Sequence, residues 1–206
     1  MSSDNTNSVK QSRRNNKQVY HLTKLANLPS IIRHGLMSRA DLSRSHMSFA
    51  DVADPEIIAE RQGQSLEIFV PFHFVSRSPF DYAVVNREPN EDYLVLGVDR
   101  EFARSNGWLV FPRHPLSWKQ PPVEWDEGLA AIDWDRIDKG GDWKLDNDLQ
   151  QSMMAEALSP ATVLIGDIAT IFVSSDAMKA TVSGMISGRN PYVLVNPRIF
   201  PPNGRR

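Results

Sequence analysis

The chain has 206 residues, 41% of them hydrophobic and 23% charged, with a net charge of −2. That length carries one domain with a substantial core, no apolar run reaches the 18 or so residues of a membrane span, and the charge balance argues against a diffuse basic surface for nucleic acid. The absence of cysteine excludes disulfides and thiolate metal sites and suits a reducing compartment, so a cytoplasmic monomer without membrane contact or signal peptide is expected.

Residues 1–17 are rich in Ser, Asn, Lys and Arg, with little to bury. They read as a disordered tail ahead of one domain over 18–200 and a short tail at 201–206. Residues 19–23 predict a strand and 25–34 a helix, closed by Gly35, a residue suited to the left-handed position after a helix. The polar stretch 38–54 is too long for a plain connection and reads as an irregular, functional loop. Pro55 opens a short helix through 61, 68–74 alternate as a strand, and Ser78 caps a helix from Pro79.

Residues 93–98 form a continuous apolar strand, followed by a helix over 100–106 ending at Gly107 and a strand over 108–111. Pro112, Pro115, Pro121 and Pro122 forbid regular structure between 112 and 125. Helices are predicted over 127–137 and 145–154, strands over 162–165 and 170–173, a helix over 176–186 and a last strand over 192–195. Short strands and helices that do not alternate regularly argue for an α+β fold over a doubly wound sheet.

Two apolar segments carry misplaced polar groups. In Val19-Tyr20-His21-Leu22-Thr23, His21 and Thr23 stand two apart and share a face if the segment is a strand. Glu156 is a lone carboxylate within Met153-Met154-Ala155-Glu156-Ala157-Leu158. Each has a plain reading, His21 as a satisfied core histidine and Glu156 as the exposed face of a helix end. Each also has a functional one, because an unpaired carboxylate in apolar surroundings is costly and often sits in a cleft. No Gly-rich phosphate loop, H-E-x-x-H or G-x-S-x-G motif is present, and the histidines lack metal-ligand spacing, so no metal is expected. The five tryptophans read as core or interface anchors.

The run from Tyr20 to Leu36, Y-H-L-T-K-L-A-N-L-P-S-I-I-R-H-G-L, resembles the opening of the DarT family of DNA-targeting ADP-ribosyltransferase toxins. Val70 to Phe80 resembles that family's V-P-F-Y-F-x-x-R-S-P segment, and Met154 to Leu158 its A-E-x-L block. Three blocks in the family's order are far more specific than any one. The resemblance implies an ADP-ribosyltransferase fold, two small β-sheets around an NAD cleft with flanking helices. It also implies transfer of ADP-ribose from NAD onto a base (thymidine or guanosine) of single-stranded DNA, and a macrodomain antitoxin of the DarG type as partner. Alternatives are an RNA or protein acceptor, or an inactive NAD-binding module.

By the same resemblance Glu156 is the catalytic carboxylate that faces the ribosyl oxocarbenium ion. His21, Leu22, Thr23, Asn27, Gly35 and Leu36 meet the cofactor, and Arg61, on the short helix before the V-P-F block, serves both catalysis and cofactor. A guanidinium suits that place because it pairs phosphate bidentately; Arg77 is the alternative. Arg39, Arg44 and Arg113 are the candidate DNA contacts. Two departures bear on the acceptor: Met154 stands where the family often has Gln, and 108–120, including His114, has no clear counterpart.

Overall fold

The computed structural model describes residues 12–52, 55–186 and 191–202. The expected tails at 1–11 and 203–206 lie outside the described residues. Residues 12–17 depart from the expectation of a free tail. Arg13–Asn15 is a 3-10 helix capped by Ser12, and the Arg13 backbone N–H donates to Asp138 (2.8 Å) while its side chain reaches the Ile137 carbonyl (2.6 Å).

The strands are β1 (Gln18–Lys24), β2 (Val70–His73), β3 (Tyr93–Asp99), β4 (Leu109–Phe111), β5 (Val123–Glu124), β6 (Glu156–Ser159), β7 (Thr170–Val173) and β8 (Tyr192–Val195). They form one eight-stranded sheet in the order β5-β4-β6-β2-β1-β3-β7-β8, antiparallel except for the β7–β8 pair. One sheet replaces the expected two, and the reason lies at its centre. β1 and β3 pair along seven residues, whereas β1 and β2 share the single register pair Tyr20↔His73. Two four-stranded halves are thus joined at one point, and the chain opens a cleft beside that junction.

The helices are α1 (Leu28–His34), α2 (Arg39–Arg44), α3 (Pro55–Gly63), α4 (Pro79–Arg87), α5 (Arg100–Ser105), α6 (Trp125–Ala131), α7 (Trp134–Lys139), α8 (Asn147–Met153) and α9 (Asp176–Met185). α2 was not expected in the stretch 38–54. Ser38 starts it by accepting from the Asp41 N–H, the N-cap chemistry that satisfies a free helix-end donor. The expected helix 127–137 is two helices, because Asp133 leaves the helical conformation and caps α7 through the Arg136 N–H. The expected strand 162–165 is only an isolated bridge, Leu36↔Val163.

The apolar run of β3 is buried on both sides, from Tyr93 to Val98. One face joins the main core, where Phe72 packs on Trp108 (4.9 Å) and Phe74 on Trp125 (5.6 Å) and Trp134 (6.0 Å). The other joins a smaller cluster with Leu22, Val84, Val85 and Ile199. Trp108, Trp125 and Trp134 are therefore core anchors.

Candidate active site

Glu156 is the first residue of β6, not a helix end. α8 stops at Met153, and the chain turns directly into the strand. In the sheet Glu156 lies opposite His73 on β2 and Phe111 on β4. Its side chain is 6% exposed, and Nη1 of Arg61, from the last turn of α3, donates to both of its oxygens at 3.0 and 2.9 Å. A buried carboxylate is tolerable only with such a partner. Two residues far apart in sequence and expected to share chemistry are thus in contact.

His21, Leu22, Thr23, Asn27, Gly35 and Leu36 line the same cleft as Arg61 and Glu156. Their roles there differ. The Asn27 side chain accepts from the Ala50 N–H (2.8 Å) and donates to the Ala50 carbonyl (2.9 Å) and to Thr23 Oγ1 (3.1 Å). It clamps the segment after α2 onto β1 and so builds the cleft wall. Gly35 has φ +80°, and a Cβ there would stand 2.5 Å from Thr162 Cγ2 and 3.0 Å from the Val163 carbonyl. Only glycine lets Leu36 form its paired backbone bonds with Val163 (2.8 and 3.0 Å).

The His21 ring bonds through Nδ1 to the Pro71 carbonyl at 2.8 Å, which makes Nδ1 the protonated nitrogen of a neutral ring. Burial pushes the imidazole down to about 4, with His73 and Arg39 acting in the same sense and the Pro71 bond and Glu156 opposing. A neutral donor set here does not repel a developing ribosyl cation. Because the folded value lies below the ordinary 6.5, the unfolded chain binds the extra proton between pH 6.5 and about 4. The stability that neutral His21 contributes is complete above pH 6.5 and is lost as pH falls toward 4. Urea midpoints for the parent should therefore fall over that window more steeply than for His21→Gln; parallel curves would remove His21 as the source.

The basic candidates are not grouped. Arg39 lines the cleft, holds Asp51 with both terminal nitrogens and lies over the Phe49 ring at 5.3 Å. Arg44 is exposed and pairs with Asp41, and Arg113 pairs with Asp148 at 3.4 Å. Arg77, the alternative to Arg61, is turned to Tyr82, donating to its hydroxyl at 2.6 Å. His114 and Met154 line the cleft as well.

Two cleft residues escaped the sequence reading of the site. Among the described residues, His73 and Glu67 each present an atom shut off from solvent without a hydrogen-bond partner, His73 Nδ1 and Glu67 Oε2, and so does Arg61 at Nη2. Buried polar atoms are ordinarily satisfied, so these three are groups that a ligand or solvent entering the cleft would bond. Glu67 left no sequence signal, since its place depends on a 3-10 turn (Leu66–Ile68) packed near α2 and α3. His73 did leave one: histidine stands where the resembling segment has tyrosine.

A sheet parted at its middle around a cleft with a buried Arg–Glu pair has the architecture of the ADP-ribosyltransferases. The fold matches Thermus sp. 2.9 DarT in complex with ADP-ribosylated ssDNA, with a TM-score of 0.76 and 23% identity over 89% of this chain and 96% of that one. It also matches Thermus sp. 2.9 DarT in complex with NAD+, at 0.71 and 21% over 89% and 97%. The model of the family "ssDNA thymidine ADP-ribosyltransferase, DarT" matches residues 20–201, and the chain belongs to that family. A DNA ADP-ribosyl transferase–DNA ADP-ribosyl glycohydrolase fusion protein of Thermosipho africanus (strain H17ap60334) is 23% identical over 191 residues. These cover 89% of this chain and 49% of the fusion protein, so the chain spans about half the length of that relative.

Proposed function

We propose that this chain moves ADP-ribose from NAD onto thymidine in single-stranded DNA, releasing nicotinamide, and acts as the toxin of a pair whose antitoxin is a DarG-type macrodomain. The observation that carries the reading is Glu156, buried with Arg61 in the central cleft of a DarT-family chain. Rupture of the nicotinamide–ribose bond leaves positive charge on the ribose, and a fixed carboxylate in a water-poor cleft stabilises it strongly. Arg61 holds both carboxylate oxygens through one nitrogen, so the other, Nη2, remains for a phosphate or base oxygen of the substrate. His21 and Thr23 supply neutral hydrogen-bond partners to the cofactor. Met154 offers a thioether where an amide would select the acceptor atom, so the wall beside the acceptor is apolar. An unpaired strand presents its bases without the cost of unstacking a duplex. The fusion relative joins a transferase to a glycohydrolase in one chain, which supports pairing of this transferase activity with a reversing macrodomain. Among the described residues no helix is long and apolar enough to cross a membrane.

The test is incubation with labelled NAD and oligonucleotides of each base, single- and double-stranded, with mass spectrometry of the products. A mass gain of one ADP-ribose on thymidine-containing single strands is expected. Equal modification of duplex, or of protein alone, would overturn the substrate. Binding should also be salt-sensitive in a limited way. Each phosphate contact on a single strand contributes about −0.7 to the slope of log K against log salt. Contacts from Arg44, Arg113 and Arg39 together give roughly −2 by the same rule. Arg44→Ala and Arg113→Ala should each reduce the slope by one such contact in fluorescence anisotropy titrations; an unchanged slope removes that residue from the DNA path.

A further inference from the structure

Two histidines stand close to Glu156, and they are held differently. The His21 ring is fixed by its bond to Pro71 and stays neutral across the physiological range. His73 is 7% exposed and lies directly opposite Glu156 in the register of β2 and β6, where facing side chains are about 4.5–5.5 Å apart at Cβ. Its Nδ1 has no hydrogen-bond partner among the described residues, and the ring is steadied by the Phe80 ring at 5.6 Å. His114, the third histidine of the cleft, is already partnered. The groups facing His73 are Tyr20 and His21 from β1, Glu156 from β6 and Asp81 from α4, with Arg61, Glu67 and Arg39 on the same cleft.

We propose that His73 is a catalytic residue, the base that takes the proton from the nucleic-acid acceptor as it attacks the ribosyl cation. This rests on the transferase reading above. The bond between ribose C1′ and nicotinamide breaks with its electron pair leaving on nicotinamide, which departs neutral. A ring nitrogen of the acceptor base then forms the new C1′–N bond, and the N–H proton it carried passes to His73 and on to water. Glu156 is unsuited to that proton, since accepting it would remove the negative charge that stabilises the cation. Where the similar segment has a tyrosine hydroxyl, this chain has an imidazole, whose two ring nitrogens can accept and release a proton.

The experiment follows ADP-ribosylated single-stranded oligonucleotide and free nicotinamide separately, for the parent, His73→Ala and His73→Gln, with NAD affinity measured by calorimetry. Both variants should lower the transfer rate at least about a hundredfold, the lower end for one acid–base group. Transfer should fall relative to NAD hydrolysis, with NAD affinity retained as the sign of an intact cleft. Added imidazole should restore part of the transfer in His73→Ala, whose cavity admits it, and none in His73→Gln. Parental transfer by either variant would overturn the assignment, because Gln can bond the acceptor but not carry its proton. So would a loss of transfer fully accounted for by weaker NAD binding. A parent that modifies no oligonucleotide overturns the substrate reading itself, and this inference with it.

Discussion

Glu156→Gln is expected to lower the rate of ADP-ribose transfer at least a hundredfold while NAD affinity changes by no more than a few-fold. The amide keeps the shape of the side chain and a hydrogen-bonding oxygen for Arg61, so the cleft and the fold survive. What it lacks is the charge that the oxocarbenium ion meets and ground-state NAD does not, and only interactions stronger in the transition state raise the rate. One preorganised electrostatic group contributes on the order of a hundred- to a thousandfold. Single-turnover kinetics beside calorimetric NAD binding separates the two effects. A variant within a few-fold of the parent rate would remove Glu156 from its role.

Arg61→Ala should produce a loss of a different kind. Glu156 is 6% exposed at its side chain and Arg61 is its ion-pair partner in this cleft. Deleting one member of a buried pair costs about 3–5 kcal/mol when the remaining charge is trapped. Here the carboxylate borders a cleft and can take up water, so a smaller loss, about 1–2 kcal/mol, is expected, the scale of one hydrogen-bonding group left without its partner. For a chain of this size that lowers Tm by about 2–8 °C. Transfer should fall at least tenfold, because the carboxylate loses its fixed orientation and the substrate loses the free Nη2 donor. In the double variant Arg61→Ala/Glu156→Ala the two losses should be less than additive, since the Arg61–Glu156 contact is shared between them, and much of the Tm loss should return. Additive rate losses would mean that Arg61 works on the substrate independently of Glu156.

The site was more legible in the sequence than the sheet that carries it. His21 and Glu156 stood out because a lone polar group in an apolar segment has few structural uses. Arg61 gained its role from the ordered blocks around it, and the structure brings it onto Glu156. Strand β6 was hidden because Met153 to Leu158 suits a helix as well as a strand, a common ambiguity of short apolar runs. The break between α6 and α7 was marked only by Asp133, whose capping bond is invisible in a periodic pattern. The pairing of Leu36 with Val163, the clamp of Asn27 on Ala50 and the place of Glu67 depend on contacts between distant segments, which local pattern does not encode.

The junction of β1 and β2 has a mechanical consequence. Elsewhere neighbouring strands share two to seven register pairs, but at the centre there is one, Tyr20 with His73, helped by the His21–Pro71 bond, by the His21–Phe72 ring contact and by Arg100, which donates to the Gln18 and Phe74 carbonyls. Fewer register pairs brace that line than the neighbouring β1–β3 and β2–β6 seams, and cleft-lining groups are set on opposite banks: His21 and Thr23 on one, His73 and Glu156 on the other. A dinucleotide bonded to both banks would act as a strut across that seam. Ligand that binds only the folded form raises stability by RT ln(1 + [L]/Kd), and a dinucleotide spanning both banks would place that gain at the seam. The amides of Tyr20 and His73 are accordingly the ones whose hydrogen exchange should slow most when NAD enters.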